Sequence, residues 1–310
     1  MSIRRRSIVA YGAGLAGSSL LLVGCGNPRL EEQDITPTSG DTFFKISLAQ
    51  WSLHRSLRKD LDNLDFAAKA RSFGLDAVEY VNQFFKDKAE DGAYLAQMRR
   101  RAEDQDVRSL RIMIDGEGSL AHRDTAARKQ AIDNHFKWVR AAHALGCMDI
   151  RVNARGKGDP REIAGYAAES LHALASYAAM ENIGIVVENH GGWSSDGQWL
   201  AGVMAEVNLP NCGTLPDFGN FRINLFPPNE YDRYKGTAEL MPYAAGVSAK
   251  AYDFDANGEE TTIDYARMLK IIKSTGYRDY IGIEYEGNRL SEEAGIQATL
   301  NLLKRHGAVG

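Results

Sequence analysis

The sequence predicts a single (β/α)8 barrel, an α/β fold, on three observations. A unit recurs in which a helical stretch closes on glycine, a short apolar strand follows, and the strand ends in a charged residue. Gly74 leads through Ala77-Val78 to Glu79, and Gly146 leads through Met148-Asp149-Ile150 to Arg151. Gly184 leads through Ile185-Val186-Val187 to Glu188, and Gly276 leads through Tyr280-Ile281-Gly282-Ile283 to Glu284. Continuous apolar runs of this length are the mark of strands buried on both faces of a parallel sheet. Their alternation with helical patterns implies βαβ units. The 310 residues suffice for one barrel of eight such units, and 44% hydrophobic residues can fill its core. A doubly wound sheet is the alternative, but no Gly-rich dinucleotide turn follows the first strand.

The units run in order from residue 43. The first strand covers 44–50 and the first helix 61–73, with Phe66, Ala70 and Phe73 on one face at helical spacing. The second strand is 77–80 and its helix 92–104. The third strand is 109–114, and its helix, 125–145, turns Ile132, Phe136 and Val139 inward. The fourth strand is 148–153. Its helix begins at Pro160, a good first-turn residue, and ends before Gly184. The fifth strand is 185–188, followed by a helix over 198–207. The sixth strand is 213–217. An irregular stretch with Pro227-Pro228 and a short helix comes next. The seventh strand is 245–250 and its helix 263–275, where Gly276 supplies a left-handed stop. The eighth strand is 281–286, and a helix over 292–306 closes the fold.

The formal net charge of -4 points away from nucleic acid and from anionic surfaces. Three cysteines without a CxxC pair imply neither a disulfide framework nor a thiolate zinc site. Cys147 and Cys212 fall at strand starts and read as packing residues. Residues 1–24 read as a signal peptide: Arg4-Arg5-Arg6, an apolar Gly-rich run, and Leu22-Val23-Gly24-Cys25 in the form of a lipobox. The run is too short and interrupted for a stable membrane span. Arg5-Arg6 with Ser7-Ile8-Val9 resembles a twin-arginine signal, and Cys25 resembles the acylated cysteine of bacterial lipoproteins. The expectation is an exported lipoprotein facing the periplasm, held to the membrane by lipid on Cys25 alone. Residues 25–42 form a polar tether and 43–310 the barrel.

In such a barrel the strand C-termini converge on one mouth, where the chemistry sits. Glu188 ends the fifth strand, Asp217 the sixth and Glu284 the eighth. Three carboxylates at one mouth repel one another unless a cation lies between them. Oxygen-rich ligation of this kind suits Mg or Mn better than Zn or Co. Around them, Arg151 and Asn153 end the fourth strand, and Asp115 and Glu117 flank Gly116 after the third. Trp51 follows the first strand as a candidate floor for a sugar ring. His190, Asn220 and Lys250 are candidates to touch substrate, with a salt bridge to Asp217 or Glu284 as the competing role of Lys250. Glu79 reads as a substrate contact or a partner of Arg151.

Several of these stretches resemble the xylose-isomerase-like TIM barrels known as sugar phosphate isomerases/epimerases, in an exported lipoprotein branch. The stretches are Ala49-Gln50-Trp51-Ser52-Leu53-His54, Ile114-Asp115-Gly116-Glu117-Gly118, Glu188-Asn189-His190-Gly191-Gly192, Asp217-Phe218-Gly219-Asn220, Ser248-Ala249-Lys250 and Glu284-Tyr285-Glu286-Gly287. The resemblance implies a divalent metal held by Glu188, Asp217 and Glu284, with Glu188 and Glu284 also the acid/base pair. The family's strand-seven His-x-Lys stands here as Ser248-Ala249-Lys250, so the fourth ligand is missing. Asn220 stands where relatives often carry a substrate-contacting His.

What the resemblance implies is a metal-dependent isomerase or epimerase that removes a proton beside a carbonyl of a sugar. Export and the lack of a Gly-rich phosphate cradle favour a non-phosphorylated sugar or keto-sugar, acting as a small-molecule partner of a monomer or homo-oligomer. The same proton abstraction can expel a leaving group, giving a lyase on 3-keto-glycosides. The third reading is a carbohydrate-binding lipoprotein without catalysis, for which Ser248 speaks. Seven histidines, several on helices, are too few for a multi-metal nuclease.

Overall fold

The computed structural model describes residues 41–309. The expected signal peptide, Cys25 and nearly all of the tether lie outside the described residues. Eight parallel strands form the barrel: β1 (Lys45–Ala49), β2 (Ala77–Val81), β3 (Arg108–Met113), β4 (Asp149–Val152), β5 (Gly184–Glu188), β6 (Cys212–Leu215), β9 (Val247–Ala251) and β10 (Tyr280–Tyr285). Their order is β6-β5-β4-β3-β2-β1-β10-β9. Isolated parallel bridges, Thr214 to Ala244 and Asp217 to Ser248, join β6 to β9 and bring the ring nearly to closure. The single (β/α)8 barrel expected from the sequence is the fold observed.

The helices between strands are α2 (Phe66–Ser72), α3 (Gly92–Glu103), α4 (Thr125–Leu145), α5 (Pro160–Met180), α6 (Gly197–Val207), α7 (Arg233–Leu240), α8 (Tyr265–Ser274) and α9 (Glu292–Gly307), with a short α1 (His54–Leu57) after β1. Aspartate starts most of them. Asp91, Asp124, Asp159, Asp196, Asp232 and Asp264 each accept a backbone N–H of the first turn. Each such cap is worth about 1 kcal/mol, which helps explain why the helix starts were legible. Strand and helix ends differ from expectation by up to three residues, except that α2 begins at Phe66, five residues after the expected start, because a 3-10 turn over Asn63–Asp65 precedes it.

Two local expectations are corrected. The inward stripe of α4 is Ala131, His135, Trp138, Val139 and Ala142, with Ile132 and Phe136 only half-buried. Trp138 takes the deepest place because its Nε1–H finds a buried acceptor, Glu117 Oε1, at 2.8 Å. The stretch after β6 is also more regular than expected. It holds a small antiparallel hairpin, β7 (Arg222–Asn224) with β8 (Asn229–Glu230), before α7.

Inside the barrel, alternate strand positions carry an apolar cluster of Ala49, Val81, Met113, Val186 and Leu215. Arg111, 1% exposed, lies among buried acids. It donates to Asp149 through Nε at 2.9 Å and Nη2 at 3.1 Å, and its Nη1 lies 3.5 Å from Glu79 Oε2. Glu79 therefore pairs with Arg111, not with Arg151. Gly282 makes room for this group, since a Cβ there would sit 2.4 Å from Glu79 Oε1. The opposite alternation of the strands faces the helices in one large apolar belt.

Candidate functional site

Barrel register sets the site. Glu188 is the last residue of β5, Asp217 follows β6, and Lys250 and Glu284 are direct neighbours across β9 and β10. Asn189 fastens the β5 end to the next loop. Its amide donates to Asp217 O at 2.9 Å and Asn220 O at 3.1 Å, while its Oδ1 accepts Asp217 N at 2.7 Å. Gly191 and Gly192, with φ of 86° and 65°, then let the loop fold back so that Ser194 and Ser195 hydroxyls accept the N–H groups of His190 and Gly191. The place of Asn189 between Glu188 and His190 is visible in the sequence, but its bridging of two loops is not.

The three strand-end carboxylates do converge, and all are buried. Asp217 Oδ1 accepts the backbone N–H groups of Gly219 and Asn220, both at 2.8 Å, and Oδ2 accepts Ser248 Oγ–H at 2.7 Å. Glu284 Oε1 takes Lys250 Nζ at 2.7 Å, and Oε2 lies 3.1 Å from Ser248 Oγ. Glu188 Oε1 accepts Asn220 Nδ2 at 2.8 Å. Its Oε2 lies 2.8 Å from Arg151 Nε without a directed hydrogen bond, an ion pair whose N–H is not aimed along the contact. Lys250 also reaches Glu286 at 3.0 Å and Asp217 at 3.7 Å, so its salt-bridge role is observed.

These contacts set the charges. Burial, reinforced by the charge of Glu284 and only partly offset by Arg151, pushes Glu188 up to about 7. Burial likewise pushes Asp217 up to about 7 despite Lys250. In Glu284 burial is outweighed by Lys250, which holds its carboxyl below the usual value. Burial would raise Asp115 too, but Arg151 and His190 and the hydrogen bonds from Arg151 (3.0 Å) and Asn153 (2.7 Å) hold it well below the carboxylate range. Burial, then the charges of Arg151 and Arg155, lower His190 to about 4. Arg155 Nη2 approaches His190 Nδ1 at 2.7 Å. Asn153 Oδ1, an acceptor, lies 2.9 Å from the same Nδ1, so the two contacts call for opposite tautomers of the neutral ring.

A cavity of about 500 Å³ opens over this floor. Of the predicted site residues, Trp51, Asp115, Arg151, His190 and Glu284 line it. Glu188, Asp217 and Lys250 lie at the edge of the mouth but beneath the lining, at 0–1% exposure. Asn220 acts from behind, through Glu188. Gln83, in a 3-10 turn over Asn82–Phe84, and Ser119 and Arg155, on loops, also line the cavity, unpredicted because none carries strand-end periodicity. Glu286 faces the cavity as well. Trp51 stands at the rim, stacked on His54 with ring centroids 5.1 Å apart.

The expected ion between Glu188, Asp217 and Glu284 meets a different donor set. A hard divalent cation needs several oxygen lone pairs free and convergent. Here Ser248, Lys250, Asn220, Arg151 and two backbone N–H groups already engage them. Among the described residues, no three His, Cys, Asp or Glu side chains are disposed to hold an ion. As arranged, the residues do not fit a bound divalent metal, because Ser248 brings a hydroxyl donor to the position of a ligand.

Residues 67–306 match the model of a family described as xylose isomerase-like TIM barrel. The alpha subunit of a C-glycoside deglycosidase from Arthrobacter globiformis is 31% identical over 136 residues, 40% of this chain and 36% of that protein. The match thus spans about a third of that relative's length. Among solved structures, a 3-keto-D-glucoside 4-epimerase from E. coli superposes with a TM-score of 0.65 at 13% identity, covering 84% of this chain and 98% of the other. A xylose isomerase-like TIM barrel protein from Mycobacterium smegmatis in complex with magnesium gives 0.62 at 15% identity, covering 86% and 98%. At such identities the structural likeness speaks for the fold.

Proposed function

We propose, from the premise that this chain belongs to the xylose isomerase-like TIM barrel family, that its mouth removes a proton beside the carbonyl of a non-phosphorylated keto-sugar and returns it to give an isomer or epimer. The observation that carries this reading is Glu284: a carboxylate in the cavity wall, kept ionised by Lys250 at 2.7 Å. That is the state a general base requires. The sugar lies between Trp51 and the polar wall. Arg151 and neutral His190 face the carbonyl oxygen as negative charge builds on it. Glu284 takes the carbon-bound proton. Glu188, pushed up to about 7 behind Arg151, can both hold and release a proton near neutral pH and is the group that returns one. Lys250 acts on the reaction through Glu284. A divalent ion would have to displace Ser248 and Lys250 before the carboxylates could serve it.

A second outcome of the same first step is loss of a leaving group from a 3-keto-glycoside. The sequence likeness to a protein named as a C-glycoside deglycosidase alpha subunit supports it. The signal-like Arg5-Arg6 and Cys25 place this chemistry, in our reading, on an exported lipoprotein; a Cys25→Ala variant that still incorporates labelled palmitate would refute that placement.

The deciding experiment is deuterium uptake by mass spectrometry. The protein meets free sugars and 3-keto-glycosides in heavy water. Uptake at the carbon beside the carbonyl is expected, lost in Glu284→Gln and reduced in Glu188→Gln, and the product mass separates isomer from elimination. No uptake from sugars that demonstrably bind would leave a carbohydrate-binding barrel.

A further inference from the structure

A second cavity, about 990 Å³, adjoins the mouth. Ser119, Arg155 and His190 line both, so the two spaces meet across Arg155. Their electrostatics differ. The mouth holds acids and cations paired with each other. The second cavity is lined by Arg123, Arg155 and Lys157 and by no carboxylate. Among the described residues, these three cations form no ion pair, whereas Arg151 and Lys250 next door are both paired. Arg155 is nonetheless fixed in place: Nη2 donates to His190 O at 3.0 Å and Nε to the same oxygen at 3.2 Å. Half-buried Trp193 and buried Ile223 supply an apolar wall.

We propose that this cavity is a subsite for an anionic, planar substituent carried by the sugar, such as an aromatic carboxylate. The inference rests on the reading that the mouth holds a sugar. Unpaired guanidinium and ammonium groups around one space raise the local concentration of anions and bind them in charge-assisted contacts. Arg presents the planar fork that matches a carboxylate, and Trp193 offers an indole face for a ring. Arg155, at the junction, reads the join between sugar and substituent.

The test is calorimetric titration of the full chain at low salt with phenyl β-D-glucoside, 4-carboxyphenyl β-D-glucoside, 4-hydroxybenzoate and inorganic sulfate. The carboxyphenyl glucoside should bind at least tenfold more tightly than the phenyl glucoside, and the Arg123→Ala/Lys157→Ala double variant should remove that difference. Binding of 4-hydroxybenzoate that depends on Arg123 and Lys157, with no gain from the glucosyl group, would keep the anion subsite and sink the sugar reading. Equal affinity for the two glucosides overturns the proposal. Sulfate binding as tightly as the carboxyphenyl glucoside overturns it as well, since the cavity would then be a site for free inorganic anions. So does an absence of binding by all four probes.

Discussion

Ser248 Oγ donates to Asp217 Oδ2 at 2.7 Å and lies 3.1 Å from Glu284 Oε2, so one hydroxyl joins two buried carboxylates across the seam where β6 meets β9. Removing it leaves buried acceptors without a donor. Ser248→Ala is expected to lower stability by about 1–3 kcal/mol in a denaturant titration. Ser248→His replaces a donor with a nitrogen ligand and is expected to tighten Mn binding at least tenfold over the parent, read by calorimetry. A parent that already binds Mn as tightly as the variant would contradict the donor-set argument.

Lys250 is the cation that keeps Glu284 ionised. Lys250→Met removes that charge, so the Glu284 carboxyl must rise. The acid limb of the deuterium-exchange rate should move to higher pH, with the rate at neutral pH down tenfold or more. Breaking a buried ion pair also costs about 3–5 kcal/mol of stability, so the pH profile is the diagnostic. An unshifted limb in folded protein would remove Lys250 from the mechanism.

His190 stays neutral well below the usual histidine range, at about 4. Unfolded, it titrates near 6.5. The unfolded chain therefore binds a proton in this window that the folded chain refuses. Stability from this group is full above 6.5 and is lost as pH falls from there toward 4. His190→Asn should flatten the stability profile over that window. Histidine ring NMR showing a charged imidazole at pH 6 would refute the assignment.

Arg111 is predicted to matter for folding and not for the reaction. It neutralises Asp149 and Glu79 inside the barrel, away from the cavity lining. Arg111→Met strands two buried carboxylates and should cost about 3–5 kcal/mol. Exchange rate per folded molecule should remain that of the parent; a selective loss of rate would place this group in the chemistry.

The sequence by itself determined the barrel and the meeting of Glu188, Asp217 and Glu284. Both follow from local signals: apolar runs of strand length, Gly stops and Asp starts on the helices, and the rule that parallel strand C-termini share a mouth. The hairpin after β6 was not legible, because its two strands are short and broken by Pro227-Pro228. The inward stripe of α4 was misplaced because hydrophobicity favoured Phe136, while Glu117 Oε1, a residue distant in sequence, decided for Trp138.

Only the tertiary structure decided the pairing of charges. Sequence spacing placed Lys250 near the acids. It could not show that Lys250 keeps Glu284 ionised while Arg151 shields Glu188, nor that Arg111 claims Glu79. It could not show that Arg123 and Lys157 face a cavity without acids. Partner choice among charges depends on distances of a few ångströms between residues far apart in the chain, at a burial where each unpaired group is costly. Strand register fixes the elements from local signals; which oxygen a proton or a cation then occupies is settled by the packed mouth.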